Sequence, residues 1–446
     1  MKSEKLQEKC ALFGIYSTDV DIARLTYYGL VALQHRGQES TGISVSNGNR
    51  IKTHKGLGLT TQVYNEKILN SLKGYLTIGH NRYSTSGGLH INNAQPLATP
   101  RDTLAFAHNG NLPDFSKLAK FLESKKVSTK GLNDSTLMYK SIKYFYRILS
   151  LEDSVAQAFP YWIGAFSVLV MSKTKLVAVR DQFGIRPLSI GKVSGGYVVA
   201  SETCAIDTVG GTFVRDVKPG EMVVIDKNGL QSFQLAEPQQ KLDIFEFVYF
   251  SRPDSVLYGK SVYEVRKNLG KELAREFPIK ADMVIPVPDS SIPAAIGYSQ
   301  ESGVPFEFGL VKNRYIGRTF ILPDQKLRDI SVQLKLNPVN EILKGKKIIV
   351  IDDSIVRGTT AKRLVKLIRD AGAKEVHFMS SCPPIKFPDF YGIDTPTQKQ
   401  LIAANMDIPE IKDYMGADSL SFLSYDGLIK AIGINNELFA RHVLRV

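Results

Sequence analysis

Two carboxylates followed by hydroxyl and glycine residues, Asp352-Asp353-Ser354-Ile355-Val356-Arg357-Gly358-Thr359-Thr360, have types and spacing suited to a phosphorylated sugar. The apolar run Ile348–Ile351 predicts a short buried strand of a parallel sheet, with the acids at its C-terminal end. The stretch Ala361–Arg369 predicts an amphipathic helix that stops near Gly372. A loop that opens a helix offers unpaired N–H groups and the positive end of the helix dipole to a phosphate. Paired carboxylates beside it suit sugar hydroxyls or hydrated Mg2+. Strand–acid–glycine units also occur as plain connections, so the pattern needs the full string to be specific.

A second chemistry begins at Cys10-Ala11-Leu12-Phe13-Gly14-Ile15-Tyr16, behind a polar leader of nine residues. A cysteine early in an apolar strand commonly acts as a small buried hydrophobe. Four further strings accompany this one: Leu33-Gln34-His35-Arg36-Gly37-Gln38-Glu39-Ser40, Gly79-His80-Asn81-Arg82-Tyr83-Ser84-Thr85, Ala107-His108-Asn109-Gly110-Asn111-Leu112 and Asn133-Asp134-Ser135. Singly each has a bland reading. Arg82 fits a surface ion pair, and Asn109-Gly110 fits a turn.

Taken together, the N-terminal strings resemble the glutaminase domain of class II glutamine amidotransferases, which are N-terminal nucleophile hydrolases. The string from Asp352 to Thr360 resembles the 5-phosphoribosyl 1-pyrophosphate (PRPP) signature of type I phosphoribosyltransferases, in the version found in amidophosphoribosyltransferases. The resemblance covers nearly all of the chain after residue 9. It implies α/β and α+β architecture. A propeptide, 1–9, precedes a four-layer αββα glutaminase domain, 10–236, and then a phosphoribosyltransferase domain with a parallel sheet, 237–446.

The resemblance assigns roles. Cys10 is the nucleophile once the leader is removed. Asn109 and the Gly110 N–H form the oxyanion hole, Arg82 and Asp134 take the carboxylate and ammonium of glutamine, and Arg36 orders that site. Residues 352–360 bind PRPP, with Ser290, Asp352 and Asp353 holding Mg2+. The strand–loop Ile285-Pro286-Val287-Pro288-Asp289-Ser290-Ser291 resembles a pyrophosphate loop, although Ser290 and Ser291 also suit helix caps. Lys312, Arg314 and Arg318, in Lys312–Ile321, resemble the cations of a loop that closes over PRPP. Tyr249–Ser255 reads as support for both sites. His35, His80 and His108 read as structural rather than as ligands.

The chemistry gives the leader a meaning. A thiol needs a base, and a free α-amino group titrating near pH 8 (roughly, on model values) can serve. While Lys9 is attached that nitrogen is an amide and cannot.

Some members of the family hold a [4Fe–4S] cluster on four cysteines. Asp243 and Asp389 stand where two of those ligands align, so no iron–sulfur cluster is expected.

Composition frames these motifs. The 446 residues allow two or three domains. A net charge of +13 fits an anionic partner, and no basic–aromatic tract points to nucleic acid. The three cysteines, Cys10, Cys204 and Cys382, are too far apart for a disulfide framework and fit a reducing cytoplasm. No apolar run reaches a membrane span of roughly twenty residues.

Periodicity predicts the framework around these groups. Helices are predicted at Asp21–Leu33, Ser135–Leu149, Val262–Glu276, Ser291–Ser302, Ala361–Ala371 and Leu420–Ile432. Strands are predicted at Thr103–Ala107, Phe166–Met171, Met283–Val287 and Val376–Met379, with Gln231–Lys241 as a linker.

The expected partners are glutamine and PRPP, with purine nucleotides as feedback inhibitors and a homotetramer or homodimer as the assembly. Neither nucleic acid nor membrane is expected. Two readings compete. One is another class II amidotransferase, with a sugar-isomerase or ATP-pyrophosphatase synthetase partner domain. The other is a silent paralogue that binds PRPP or nucleotide as a regulator.

Overall fold

The computed structural model describes residues 10–83, 91–98, 103–313, 336–389 and 397–438. The first half of the chain builds two stacked antiparallel sheets. One has seven strands in the order Thr212–Asp216, Ser189–Val193, Gly196–Ala200, Cys10–Ser17, Leu76–Arg82, Ser40–Ser46 and Ile51–Leu57. The other has five: Gly229–Gln234, Glu221–Asp226, Leu176–Arg180, Ala165–Met171 and Ala105–Asn111.

Alternation within the strands explains the layers. Ala11, Phe13 and Ile15 face the core beneath the helix Ile22–Ala32, while Leu12 enters the core between the sheets with Ala105, Ala107 and Leu169. Phe106, Val168 and Val170 turn the other way, against the helices Ser116–Ser124, Asp134–Phe145 and Leu151–Ala158. Strands buried on both faces must be apolar throughout, and that is why Cys10–Tyr16 and Phe166–Met171 read as continuous runs. The result is the expected four-layer αββα arrangement.

The second half holds four parallel strands in spatial order Met283–Pro286, Lys347–Asp352, Glu375–Ser380 and Ser419–Phe422. Ile349 and Ile351 face a core shared with the helices Val262–Glu276, Ile292–Ser302 and Tyr425–Ile432. Ile348 and Val350 face the other core, under Thr359–Asp370 and Ile408–Met415.

The direction of winding reverses between the first two strands. The chain leaving Met283–Pro286 passes through Ile292–Ser302 to Phe306, which bridges in parallel to Val284 on the outer side. The chain leaving Lys347–Asp352 passes through Thr359–Asp370 to the strand on the opposite side. The carboxyl ends of the two neighbours therefore open a crevice, the usual place for a ligand in such sheets.

Two expectations on elements are corrected. Gln231–Gln234 is not linker but part of an edge strand paired with Glu221–Val224; its polar side chains are exposed, which is why it read as a loop. Leu420–Phe422 belongs to the fourth parallel strand, and the helix starts only at Tyr425, where the Ser424 hydroxyl accepts from Gly427 N–H at 2.9 Å. The apolar run continued smoothly from strand into helix and hid the cap.

Candidate active sites

The strand Cys10–Ser17 begins at the proposed nucleophile. Cys10 is buried and lies directly opposite Arg82 on the neighbouring strand, and Arg82 is in turn opposite Ser40. Cys10, Arg82 and Ser40 thus form one row at an end of the seven-stranded sheet.

The facing sheet supplies Asn109 and Gly110, on the strand Ala105–Asn111. His80 Nε2 donates to the His108 carbonyl at 3.1 Å and so ties the strand bearing Arg82 to the strand bearing Asn109. Burial pulls the His80 pKa down to about 3, so the ring is neutral and structural. The Asn109 side chain is fully buried, yet neither its Oδ1 nor its Nδ2 has a hydrogen-bond partner among the described residues. A buried amide left unpaired is costly, and one reason to keep it is a ligand that completes it. Gly110 has φ +147°, and a Cβ there would meet the Ala165 carbonyl at 2.1 Å. Only glycine permits this backbone.

Asp134 is the first residue of the helix Asp134–Phe145, capped by Asn133. Its Oδ2 accepts from Leu112 N–H at 3.2 Å, which holds the carboxylate beside the end of the strand that carries Asn109. His108 Nδ1 reaches the Ser135 hydroxyl at 2.9 Å and lies 4.0 Å from Asp134 Oδ2.

Arg36, expected to order the glutamine site, is buried where the two halves of the chain meet. Its buried guanidinium is engaged by Glu202 and by Glu246, the latter at 2.6 Å, with Ser251 at 3.2 Å. Held by two carboxylates, it clamps the sheet to the segment that follows. Glu202 also takes His35 at 2.6 Å, the Ser255 hydroxyl at 2.6 Å and Arg252 N–H at 2.9 Å. The string Tyr249–Ser255 thus bonds to the first half of the chain through Glu202 and Arg36. Glu202 and Glu246 were missed in the sequence. The signal was indirect: a buried Arg36 demands carboxylates, and nothing local says which.

At the crevice of the parallel sheet, Asp352 and Asp353 are almost fully buried. Ser290 Oγ donates to Asp353 Oδ2 at 2.5 Å, and Ser354 Oγ to Asp353 Oδ1 at 2.8 Å. Ser290 is thus not a helix cap. Ser291 occupies the cap position of Ile292–Ser302 without a side-chain bond, and its buried hydroxyl has no partner among the described residues. Residues 289–291 and 352–353 are brought together by the reversal in strand order.

The loop after Asp353 is pinned by its side chains. Ile355 packs into one core and Val356 into the other, so these two have only backbone to offer a ligand. Gly358 has φ +73° as the N-cap of Thr359–Asp370, and a Cβ would lie 2.4 Å from Ile402 Cδ1. Asp352, Ser354, Arg357 and Thr360 line a pocket of about 10 Å3.

Lys312 Nζ pairs with Asp289 Oδ2 at 2.7 Å across the mouth of the crevice. Arg314 and Arg318 lie outside the described residues. Arg266, on the helix Val262–Glu276, donates to the carbonyls of Phe247 and Ser251 at 2.7 and 2.8 Å. Burial pulls its pKa down to about 10, opposed by the charge of Asp353.

Asp243 is buried, 3.6 Å from Arg186 Nη1, with Phe245 N–H donating to it at 3.0 Å. Burial, helped by the nearby charge of Asp389, pushes it up to about 7. A carboxylate beside a guanidinium is an ion-pair setting, and it does not fit a thiolate-held cluster.

A chain that joins a cysteine-headed αββα sandwich to a crevice with a phosphoribosyl signature is a glutamine amidotransferase fused to a phosphoribosyltransferase. A glutamine amidotransferase domain model matches residues 80–208, and a phosphoribosyl transferase domain model matches residues 256–389. The amidophosphoribosyltransferase of Synechococcus elongatus is 46% identical over 440 residues, covering 96% of this chain and 89% of its own. That of Bacillus subtilis is 46% identical over 432 residues, covering 96% and 90%. The solved B. subtilis glutamine PRPP amidotransferase, complexed with ADP and GMP, superposes with a TM-score of 0.91 at 44% identity, covering 98% of this chain and 96% of its own. The chain belongs to the amidophosphoribosyltransferase family.

Proposed function

We propose that the chain converts glutamine, PRPP and water to 5-phospho-β-D-ribosylamine, glutamate and pyrophosphate, opening purine synthesis, with units 10–236 and 237–446 dividing the work. Residues 1–9 are removed, and the freed amine of Cys10 takes the thiol proton. The sulfur attacks the glutamine carboxamide. The oxyanion is met by the Asn109 amide and the Gly110 N–H, which are preorganised donors in a dry site. The proton passes to the departing ammonia, and water hydrolyses the thioester to glutamate. Arg82 takes the substrate carboxylate in a charge-assisted fork and Asp134 its ammonium.

Ammonia travels inside the protein to the crevice, where it displaces pyrophosphate from C1 of PRPP. Residues 354–360 cradle the 5-phosphate and Asp352 and Asp353 hold the ribose hydroxyls. Asp289, Ser290 and Ser291 face the diphosphate, and Lys312, Arg314 and Arg318 balance its leaving charge. The crevice offers oxygen donors, and Ser290, Asp352 and Asp353 would hold Mg2+ there. When bound, the ion screens the diphosphate charge.

Purine nucleotides are proposed as inhibitors, in line with the ADP and GMP of the B. subtilis complex. A homotetramer or homodimer in the cytoplasm completes the reading. No helix among the described residues is long and apolar enough to cross a membrane.

The observation that supports this reading most is the row of Cys10 against Arg82, with the unpartnered Asn109 amide on the facing sheet. The test is PRPP-dependent glutamine hydrolysis and phosphoribosylamine synthesis in wild type and Cys10→Ala. Loss of glutamine use with ammonia-dependent synthesis retained is the expected result. Absence of pyrophosphate release with either nitrogen source would instead favour the silent regulator.

A further inference from the structure

The strand Ala105–Asn111 is the last of its sheet, so Phe106, His108 and Gly110 turn their backbone groups away from Ala165–Met171, to the outer edge. At Phe106 a backbone partner is present: Leu97 and Phe106 exchange both N–H···O bonds, at 2.7 and 3.0 Å. Two residues on, the same ladder would set the Gln95 backbone against His108. Side chains take over there instead. The His108 N–H donates to Gln95 Oε1 at 2.7 Å, and the His108 carbonyl accepts from His80 Nε2. The next position along that edge is Gly110, whose N–H is the proposed oxyanion donor.

The main chain of Gln95 rests on the other sheet. A Cβ at Gly42 would lie 2.2 Å from the Gln95 carbonyl oxygen, so this segment is pressed onto the strand Ser40–Ser46. Lys55 Nζ, from the neighbouring strand, fixes it there by donating to the Ala94 carbonyl at 2.6 Å. Gly42 is two residues from Ser40, which shares a row with Arg82 and Cys10. The buried Gln95 side chain therefore crosses from the sheet of Cys10 to the strand of Asn109. Its other end reaches the glutamine-binding helix. Nε2 donates to the Ser135 hydroxyl at 3.3 Å, next to Asp134, and that hydroxyl also meets His108 Nδ1 at 2.9 Å.

We propose that Gln95 is a positioning residue for glutamine hydrolysis, acting through the His108 N–H and the Ser135 hydroxyl. The inference rests on the roles proposed for Cys10, Asn109 and Asp134. The sulfur comes from one sheet and the oxyanion donors from the other, so the spacing and register of the sheets decide whether both meet the same carboxamide. Apolar packing of Leu12 on Ala107 and Leu169 holds the layers together but has no direction. A hydrogen bond has one, and this one is made a single residue before Asn109. The amide is suited to the task because one end accepts and the other donates. Without an acceptor at this place the His108 N–H is left unpaired in a buried setting, and the strand end is free to shift.

The test uses the whole enzyme and Gln95→Met, which keeps the length of the side chain and removes both polar ends. PRPP-dependent glutamine hydrolysis should fall about 10²-fold in kcat/KM, the scale of a small misplacement, while ammonia-dependent synthesis and the PRPP KM match wild type. A double-mutant cycle with Asn109→Ala separates positioning from scaffolding. Gln95→Met should cost at least about tenfold less in the Asn109→Ala background, since one of the two donors it aims is gone. Gln95→Glu keeps an acceptor for the His108 N–H, so it should recover at least about tenfold of the lost rate and remains measurable if the methionine variant does not fold. A wild-type kcat/KM in Gln95→Met, costs that add fully with Asn109→Ala, or a glutamate variant at least about 10²-fold below wild type would each overturn the inference. Glutamine hydrolysis that survives Cys10→Ala would instead defeat the functional reading beneath it.

Discussion

Arg36 and Glu246 meet across the boundary between the two halves of the molecule, Nη2 2.6 Å from Oε2, both shielded from solvent. With Glu202 on its other side, this guanidinium joins the loop that follows the first helix to the segment Glu246–Phe250. Truncating it removes the cation shared by two buried carboxylates, while His35 stays on Glu202 and Arg186 on Glu246, so the cost is near about 3 kcal/mol, the lower end for a broken buried pair. Arg36→Met should therefore shift urea unfolding by an amount of that order. A shift under about 1 kcal/mol would show that the clamp is dispensable.

Asn109→Ala should leave stability nearly unchanged, because the carboxamide makes no internal hydrogen bond that would be lost. Glutamine hydrolysis should drop by about 10²–10³ in kcat, the scale of a missing oxyanion donor. Ammonia-dependent synthesis serves as the internal control and should persist. Equal loss of both activities would point to a structural role.

The Ser290 hydroxyl orients Asp353 from the neighbouring strand end. Ser290→Ala should raise the PRPP KM about tenfold, the value of roughly one charge-assisted hydrogen bond, while the glutamine KM stays the same. Steady-state kinetics with ammonia as nitrogen source would read this directly. An unchanged PRPP KM would remove Ser290 from the site.

Gly358 stands at φ +73° with Ile402 against the place of a Cβ. Gly358→Ala combines strain of about 1–3 kcal/mol with displacement of the loop that precedes Thr359–Asp370. PRPP affinity and thermal stability should both fall. A Tm equal to wild type would show that the loop yields without cost.

His80 gives a pH dependence with a definite sign. Its folded pKa, about 3, lies below the unfolded value near 6.5, so the unfolded chain binds the extra proton between these limits. The neutral ring's contribution is present above pH 6.5 and is lost as pH falls through the window. From pH 6.5 to pH 5 the loss is about 2 kcal/mol. In His80→Gln the unfolding free energy should depend less steeply on pH over that range. Parallel slopes in the two proteins would exclude the histidine as the source.

Much of the fold was legible because its signals are local. Val262–Glu276 is legible to the residue, since Ser261 caps the start of its 3.6-residue period and a loop follows its end. The motif strings held their backbone geometry for the same reason: Gly110 and Gly358 sit where only glycine is tolerated. The misreadings came where local and tertiary signals diverge. Gln231–Gln234 is polar because an edge strand faces water, and Leu420–Phe422 is apolar because a strand runs close to a helix. The partners of Arg36 lie 166 and 210 residues away, and no local pattern announces them.

The reactive groups at the strand ends are legible in residue order alone: the sulfur at position 10, the amide and glycine at 109 and 110, and the acids at 352 and 353. Types and spacing along a few residues suffice, because a strand or a loop is built from neighbours. Which of these groups meet is set by the packed fold. The register that sets Cys10 against Arg82, the reversal in strand order that brings Ser290 to Asp353, and the choice of Glu202 and Glu246 for Arg36 each join residues far apart in the chain. Such pairings depend on how whole layers pack and which charges can be buried together. No short window of sequence carries that information.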